Sequence, residues 1–388
     1  MVSDRLKGIK PSATLEITAK AKAMKTKGID IIGLGAGEPD FDTPRHIKTA
    51  LYEAVADGFV YYTPPAGIIE LREAIAEKFG RDNNLKYDPE SQIIVTPGAK
   101  QALYEAIMAI TNPRDEILIP EPWWVSYVPM VQLAEGKPVF IPTTEEKDFH
   151  LEAKAVRERI TEKTKAIILN SPNNPTGAMM NVYDIKEVAE LCVENNLIAI
   201  SDEIYELLTY GAKHRSIATF RGMKKRTITI NGFSKAYSMT GWRLGYAAGP
   251  EDIIKAMLKL QAHSISNATS FVQKAGIIAL RNSQLSVGEM VKEFKKRRDT
   301  VVKMLNDIKN VSCVNPQGAF YAFPNFSKYK KDSFKMTDYL LTKANVAVVP
   351  GRAFGEGGEG FVRISYATSM ENLIKGIERI EGALKKLR

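Results

Sequence analysis

Three apolar, β-branched runs, each cut off by a polar residue, constrain this chain more than any other feature. Arg226 to Ile230 reads Arg-Thr-Ile-Thr-Ile and leads into a small-residue turn that carries Lys235. Lys165 to Leu169 leads into Asn-Ser-Pro-Asn-Asn-Pro-Thr-Gly, which holds Asn174, and Leu197 to Ser201 stops at Asp202. Short runs of this composition bounded by turn residues form buried strands. Asn174 and Asp202 lie 28 residues apart, and Asp202 and Lys235 lie 33 apart. Each interval holds one helix and a return strand in a right-handed α/β unit, so the three polar groups gather at one edge of one sheet.

Their chemistry follows from where they sit. A lysine among Gly232, Ser234, Ser238 and Gly241, close to Arg243, is pushed toward its neutral form, and neutral amines attack carbonyls. The alternative is a solvated surface lysine, one of 54 lysines and arginines. A carboxylate at the end of a buried strand, as at Asp202, is costly unless it meets a cation. Upstream, Gln92 to Thr96 reads as a strand, Pro97-Gly98-Ala99 as a tight turn and Lys100 onward as a helix. The amides of Ala99 and Lys100 then offer an anion site at a helix start, a signal common to many phosphate sites.

Taken together, these residues resemble the aspartate aminotransferase family of class I enzymes that use pyridoxal 5'-phosphate (fold type I). The likeness runs through nearly the whole chain in several separate motifs. It implies that Lys235 is the Schiff-base lysine, that Asp202 pairs with the pyridine nitrogen, and that Tyr205 and Asn174 share the ring hydroxyl. Arg243, in Gly-Trp-Arg-Leu-Gly-Tyr, matches the arginine that grips the cofactor phosphate, beside the amides of Ala99 and Lys100. Arg363, in Phe-Val-Arg-Ile-Ser-Tyr-Ala, matches the arginine that binds the substrate α-carboxylate, with Gly37, Trp124 and Asn174 also placed against the substrate. Trp124 matches the aromatic that stacks on the ring, with Trp123 as its competitor. Tyr62, next to Tyr61, matches a tyrosine that reaches the phosphate of a neighbouring subunit, which implies a homodimer with a shared active site. An arginine suits phosphate or carboxylate because its planar fork donates two parallel hydrogen bonds and keeps its charge.

The pattern predicts a doubly wound, mostly parallel seven-stranded α/β sheet with strands near 92–96, 116–120, 138–142, 166–170, 197–201, 227–231 and 243–248, and a smaller α+β lobe. Residues 1–44 read as an N-terminal arm and part of the small domain, 45–285 as the large cofactor-binding domain, and 286–388 as the small domain. Gly35-Ala-Gly37-Glu-Pro-Asp40 reads as the hinge where the arm enters the large domain. An amphipathic helix follows residue 285, and its run Lys292-Glu-Phe-Lys-Lys-Arg-Arg298 is expected to be a solvated face. Gly355-Glu-Gly-Gly-Glu-Gly360 reads as a flexible loop rather than a dinucleotide motif.

Composition narrows the function classes. There are two cysteines, Cys192 and Cys313, and four histidines scattered at 46, 150, 214 and 263, so neither a disulfide framework nor a metal site is expected. No run of 18 apolar residues exists and the N-terminus lacks the apolar core of a signal peptide, so a cytoplasmic protein off the membrane is expected. A net charge of +9 gives at most weak, salt-sensitive binding to nucleic acid, and no helix-turn-helix or zinc module accompanies it.

The resemblance further implies amino acid and 2-oxo acid substrates, with aspartate and 2-oxoglutarate preferred. Lys100, Ser12 and Thr14 match positions used for the distal carboxylate in the branch whose N-terminus reads Lys-Pro-Ser-Ala-Thr, as Lys10 to Thr14 does here. A solvated lysine at a helix start is the alternative for Lys100. Aromatic amino acids or prephenate as substrates, carbon–sulfur lysis on the same fold, and a non-catalytic ligand-binding protein are the competing readings.

Overall fold

The computed structural model describes residues 2–9, 11 and 13–387, without the side chains of residues 4, 13–15 and 18. A two-residue strand β1 (Ile32–Gly33) precedes seven strands that match the seven apolar runs to within two residues. These are β2 (Ile93–Thr96), β3 (Glu116–Glu121), β4 (Lys137–Pro142), β5 (Thr164–Asn170), β6 (Ile198–Asp202), β7 (Thr227–Gly232) and β8 (Gly245–Ala248). They form one sheet in the order β2-β8-β7-β6-β5-β3-β4. Only β8 runs against its neighbours, β2 and β7; the other pairs are parallel.

Helices cover both faces, as a largely parallel sheet requires. Side chains alternate across the strands, so Ile117 and Ile119 join one apolar cluster while Leu118 joins another on the opposite face. The return helix between β5 and β6, Val182–Glu194, is capped by Asn181, whose Oδ1 accepts from the amide of Asp184 at 2.9 Å.

After a long helix, Leu285–Asp307, the chain builds a smaller antiparallel sheet from β9 (Tyr321–Ala322), β11 (Val349–Pro350) and β12 (Val362–Ser365), ordered β11-β12-β9. Strand β10 (Val346–Ala347) pairs in parallel with β1, so the N-terminal segment is tied to this later part of the chain.

Two expectations for that part are corrected. Arg297 and Arg298 are buried, not solvated. Arg297 donates to Asp40 Oδ1 at 2.7 Å and lies 5.1 Å from the ring of Phe41, while Arg298 donates to the carbonyl of Pro316 at 2.9 Å. A long aliphatic stem lets arginine pack in an apolar lobe provided its head finds acceptors, and both heads do. Lys292, Lys295 and Lys296 do face solvent. The glycine loop after Phe354 is packed as well, because the amide of Gly357 donates to Glu121 Oε1 at 2.9 Å.

Candidate active site

Parallel strands deliver their carboxyl ends to one edge, and ligands of such sheets bind just outside it. Strand β6 ends on Asp202, β7 leads to Lys235 and β5 to Asn174. Strand β8 runs the other way, so its beginning, just after Arg243, lies at that same edge. A cavity of about 500 Å³ opens there, lined by Lys235, Asp202, Asn174, Tyr205, Arg243 and Arg363, with Ala99, Lys100, Trp124 and Gly37 on its walls. Nearly all the sequence-derived site residues therefore meet at one place.

Lys235 is half-buried, and its Nζ donates to the carbonyl of Gly37 at 2.5 Å. Burial, reinforced by Arg363, pushes its amine down to about 8, the direction a nucleophilic amine needs. Asp202 is buried and is pushed up to about 6, because burial disfavours its charge. Tyr127 Oη donates to Asp202 Oδ2 at 2.6 Å and the Ile204 amide donates to Oδ1 at 3.3 Å, both of which favour the carboxylate. Asn170 Nδ2 donates to the Asp202 carbonyl, and Asn170 Oδ1 accepts from the Asn174 amide, which holds the ends of β5 and β6 together.

Arg363 is buried, yet among the described residues no carboxylate pairs with it. Its Nη1 donates to Asn174 Oδ1 and its Nη2 to the Gly35 carbonyl, each at 2.8 Å, and its Nε has no partner. A guanidinium out of water without an acid is expensive, so the site suits an incoming carboxylate.

Among the described residues Arg243 likewise has no carboxylate partner and donates to the carbonyls of Thr240 and Pro97, at 2.7 and 3.3 Å. It lies against Gly98, which has φ of 86° and caps the helix Ala99–Ile110; a Cβ on Gly98 would come within 2.6 Å of Arg243 Nη2. Across the sheet, a Cβ on Gly245 would strike the Ala99 amide nitrogen. Two glycines thus bring an arginine and a helix start together into an anion cradle, and no side chain caps that helix start. The residues present fit pyridoxal phosphate: a cradle for its phosphate, a depressed lysine for its aldehyde and a carboxylate for its ring nitrogen.

Among the aromatics, Trp124 lines the cavity, with Lys100 Nζ 5.0 Å from its ring centroid. Trp123 stacks on Phe140 at 4.2 Å and lines a different groove. Tyr62 is 89% exposed and is not part of the cavity wall, and neither is Tyr61. Ser12 and the side chain of Thr14 lie outside the described residues.

Sequence reasoning missed Tyr127 and Tyr321. Tyr321 Oη lies 2.9 Å from Tyr205 Oη, and its ring lies 4.4 Å from the Arg363 guanidinium. Neither tyrosine sits in a recognisable motif; contact with a known site residue is the only signal, and contact is not written in sequence. The cysteines are both buried, and burial lifts each thiol to about 12, so neither is reactive.

The chain is similar to known proteins along nearly its whole length. Residues 29–380 match the family profile described as aminotransferase class I and II. An aspartate aminotransferase of Bacillus subtilis is 48% identical over 99% of this chain and 99% of its own length. A Petunia hybrida protein named as a bifunctional aspartate aminotransferase and glutamate/aspartate-prephenate aminotransferase is 44% identical over 100% of this chain and 83% of its own. The solved aspartate aminotransferase of Thermus thermophilus with maleate superposes with a TM-score of 0.95 at 44% identity, covering 99% of each chain.

Proposed function

This chain belongs to the aminotransferase class I and II family and is a pyridoxal-phosphate-dependent aminotransferase, and we propose that it moves the amino group of aspartate to 2-oxoglutarate in two half-reactions at Lys235. The observation that carries this reading is one cavity joining a depressed lysine to two arginines, neither of which has a carboxylate partner among the described residues.

When bound, the cofactor supplies an electron sink for the electrons left when the substrate Cα proton departs. The chain supplies the rest. Lys235 would hold the cofactor through its aldehyde and, once freed by the substrate amine, would take the Cα proton at Nζ and return it later. Asp202 would keep the cofactor's ring nitrogen protonated, Tyr205 and Asn174 would hold its ring hydroxyl, and Trp124 would hold its ring. Arg243 with the Ala99 and Lys100 amides would hold its phosphate. Arg363 fixes the α-carboxylate so that the Cα–H bond faces Lys235.

Lys100, which has no carboxylate partner among the described residues and is set beside Trp124, reads the distal carboxylate as a point charge. The maleate in the Thermus thermophilus structure, a four-carbon dicarboxylate, supports that preference. Prephenate also carries two carboxylates, and the Petunia hybrida relative's name makes it a second acceptor to test.

We further propose that residues 1–44 and 286–388 act together as a small domain against residues 45–285, a division supported by the β1–β10 pairing. A homodimer in which Tyr62 reaches the second copy's phosphate accounts for the exposed cluster Tyr52, Val55, Val60, Tyr61 and Tyr62. A cytoplasmic setting suits two free, buried cysteines. No helix among the described residues is long and apolar enough to cross a membrane.

The test is an absorption titration of the purified protein with L-aspartate, L-cysteine and L-phenylalanine in turn, with no oxo acid present. Conversion of the visible band to a near-ultraviolet one by aspartate, with stoichiometric oxaloacetate and no change in Lys235→Ala, is expected. Pyruvate and sulfide from cysteine would point instead to carbon–sulfur lysis. No response to any amino acid would leave a binding protein on this fold.

A further inference from the structure

Tyr321 is fully buried and touches two groups that the proposed mechanism uses separately. In the small sheet, Ser365 pairs with Tyr321 and Ile364 with Ala322, so Arg363 sits two residues along β12 from the position opposite Tyr321. That is the diagonal same-face relation through which long side chains on paired strands touch. The result is the 4.4 Å stack of the Arg363 guanidinium on the Tyr321 ring. Tyrosine and arginine are thus one unit of the small sheet, whereas Tyr205 follows β6 of the large one. The 2.9 Å contact between the two hydroxyls bridges the two sheets.

Both hydroxyls are raised chiefly by burial and both are lowered somewhat by Arg363, but its guanidinium stacks directly on the Tyr321 ring and makes Tyr321 the more acidic partner. Tyr321 therefore donates and Tyr205 accepts, leaving the Tyr205 proton free to be given elsewhere. A hydroxyl that accepts one hydrogen bond donates the next more strongly. Space fixes the arrangement, because a Cβ on Gly37 would come within 3.1 Å of Tyr321 Oη. The charged groups facing the pair are Arg363, Asp202, Glu38 and Lys235.

Resting on the cofactor reading above, we propose that Tyr321 is a positioning residue that holds Arg363 for the substrate carboxylate and commits the Tyr205 hydroxyl to donate to the cofactor's phenolic oxygen. One side chain from the small sheet then couples the carboxylate end of the site to the cofactor end.

Two variants of the holoenzyme separate these roles. Tyr321→Phe keeps the ring and loses the hydroxyl. With less donation to the phenolic oxygen, the pH midpoint of the bound cofactor's visible absorption rises by about half a unit, while the dissociation constant for maleate stays within about twofold of wild type. Tyr321→Leu loses both, so the midpoint rises similarly and maleate binding weakens about tenfold. A role confined to packing would change melting temperature without this split. An unmoved midpoint in Tyr321→Phe, or wild-type maleate affinity in Tyr321→Leu, would overturn the proposal. An unsubstituted protein with no visible band would overturn the cofactor reading itself, and is recognised before any variant is made.

Discussion

The turn after β6 serves two charge clusters at once, and they are built on opposite plans. Asp202 and Tyr205 face the cavity, where Arg363, Arg243 and Lys235 have no carboxylate partner among the described residues. Glu203 and Glu206, from the same turn, face away from the cavity toward His214 and Lys78. Lys78 forms an ion pair with Glu206, whose oxygens also accept from Asn231 at 2.6 Å and Asn83 at 2.7 Å. Glu203 meets His214 Nε2 at 3.1 Å and accepts from Ser201 at 2.8 Å. Glu203, Glu206 and His214 are grouped closely enough to resemble a metal site, but Lys78 already neutralises Glu206. A cluster whose charges answer one another holds the fold. A cluster with cations left over awaits anions from outside.

The largest test of this contrast is Lys235→Ala, which should remove turnover by at least about 10⁴-fold in steady-state assays while the far-ultraviolet circular dichroism is unchanged. Unaltered turnover would place the chemistry elsewhere.

Next, the two clusters should respond oppositely to neutralising a cation. Lys78→Met strands Glu206 and should destabilise the protein by about 3–5 kcal/mol in urea titrations. Arg363→Met should cost nothing, or stabilise the cofactor-free protein, while weakening substrate binding about 100-fold or more. Equal destabilisation by both would erase the distinction.

Asp202 sharpens it by pH. Its folded value of about 6 lies above the ordinary 3.8, so its contribution to stability is complete below about 4 and is lost as pH rises through 6. In the cofactor-free protein, Asp202→Asn should therefore raise stability by roughly 3 kcal/mol at pH 8, with the gain fading toward pH 4 in calorimetry. A constant difference across that range would show that Asp202 is not paying for its charge.

The smallest effect separates neighbours. Trp124→Leu should weaken cofactor retention by roughly tenfold or less in dialysis, whereas Trp123→Leu should leave it unchanged.

Much of the site is legible in the sequence. The three strand ends at Asn174, Asp202 and Lys235 follow from apolar runs and their spacing, because a buried strand must stop where the sequence turns polar. Ala99 follows from a glycine turn between a strand and a helix, and Arg243 from the resemblance of its motif. The solvated charge run was misread at Arg297 and Arg298, since a local pattern of charge does not reveal that Asp40 and Pro316 wait on other segments to receive them. Trp123 and Trp124 are indistinguishable as a pair of letters, yet one stacks on Phe140 and the other lines the cavity.

By itself, then, the sequence determined the order of strands and helices and which polar side chains stand at the sheet edge, because periodicity and turn chemistry act over a few residues. Only the tertiary structure decided the partners. Arg363 meets the Gly35 carbonyl across 328 residues, and Tyr205 meets Tyr321 across 116. Contacts so distant in the chain depend on how two sheets pack, and that packing determines which buried charges are answered and which are left for a ligand.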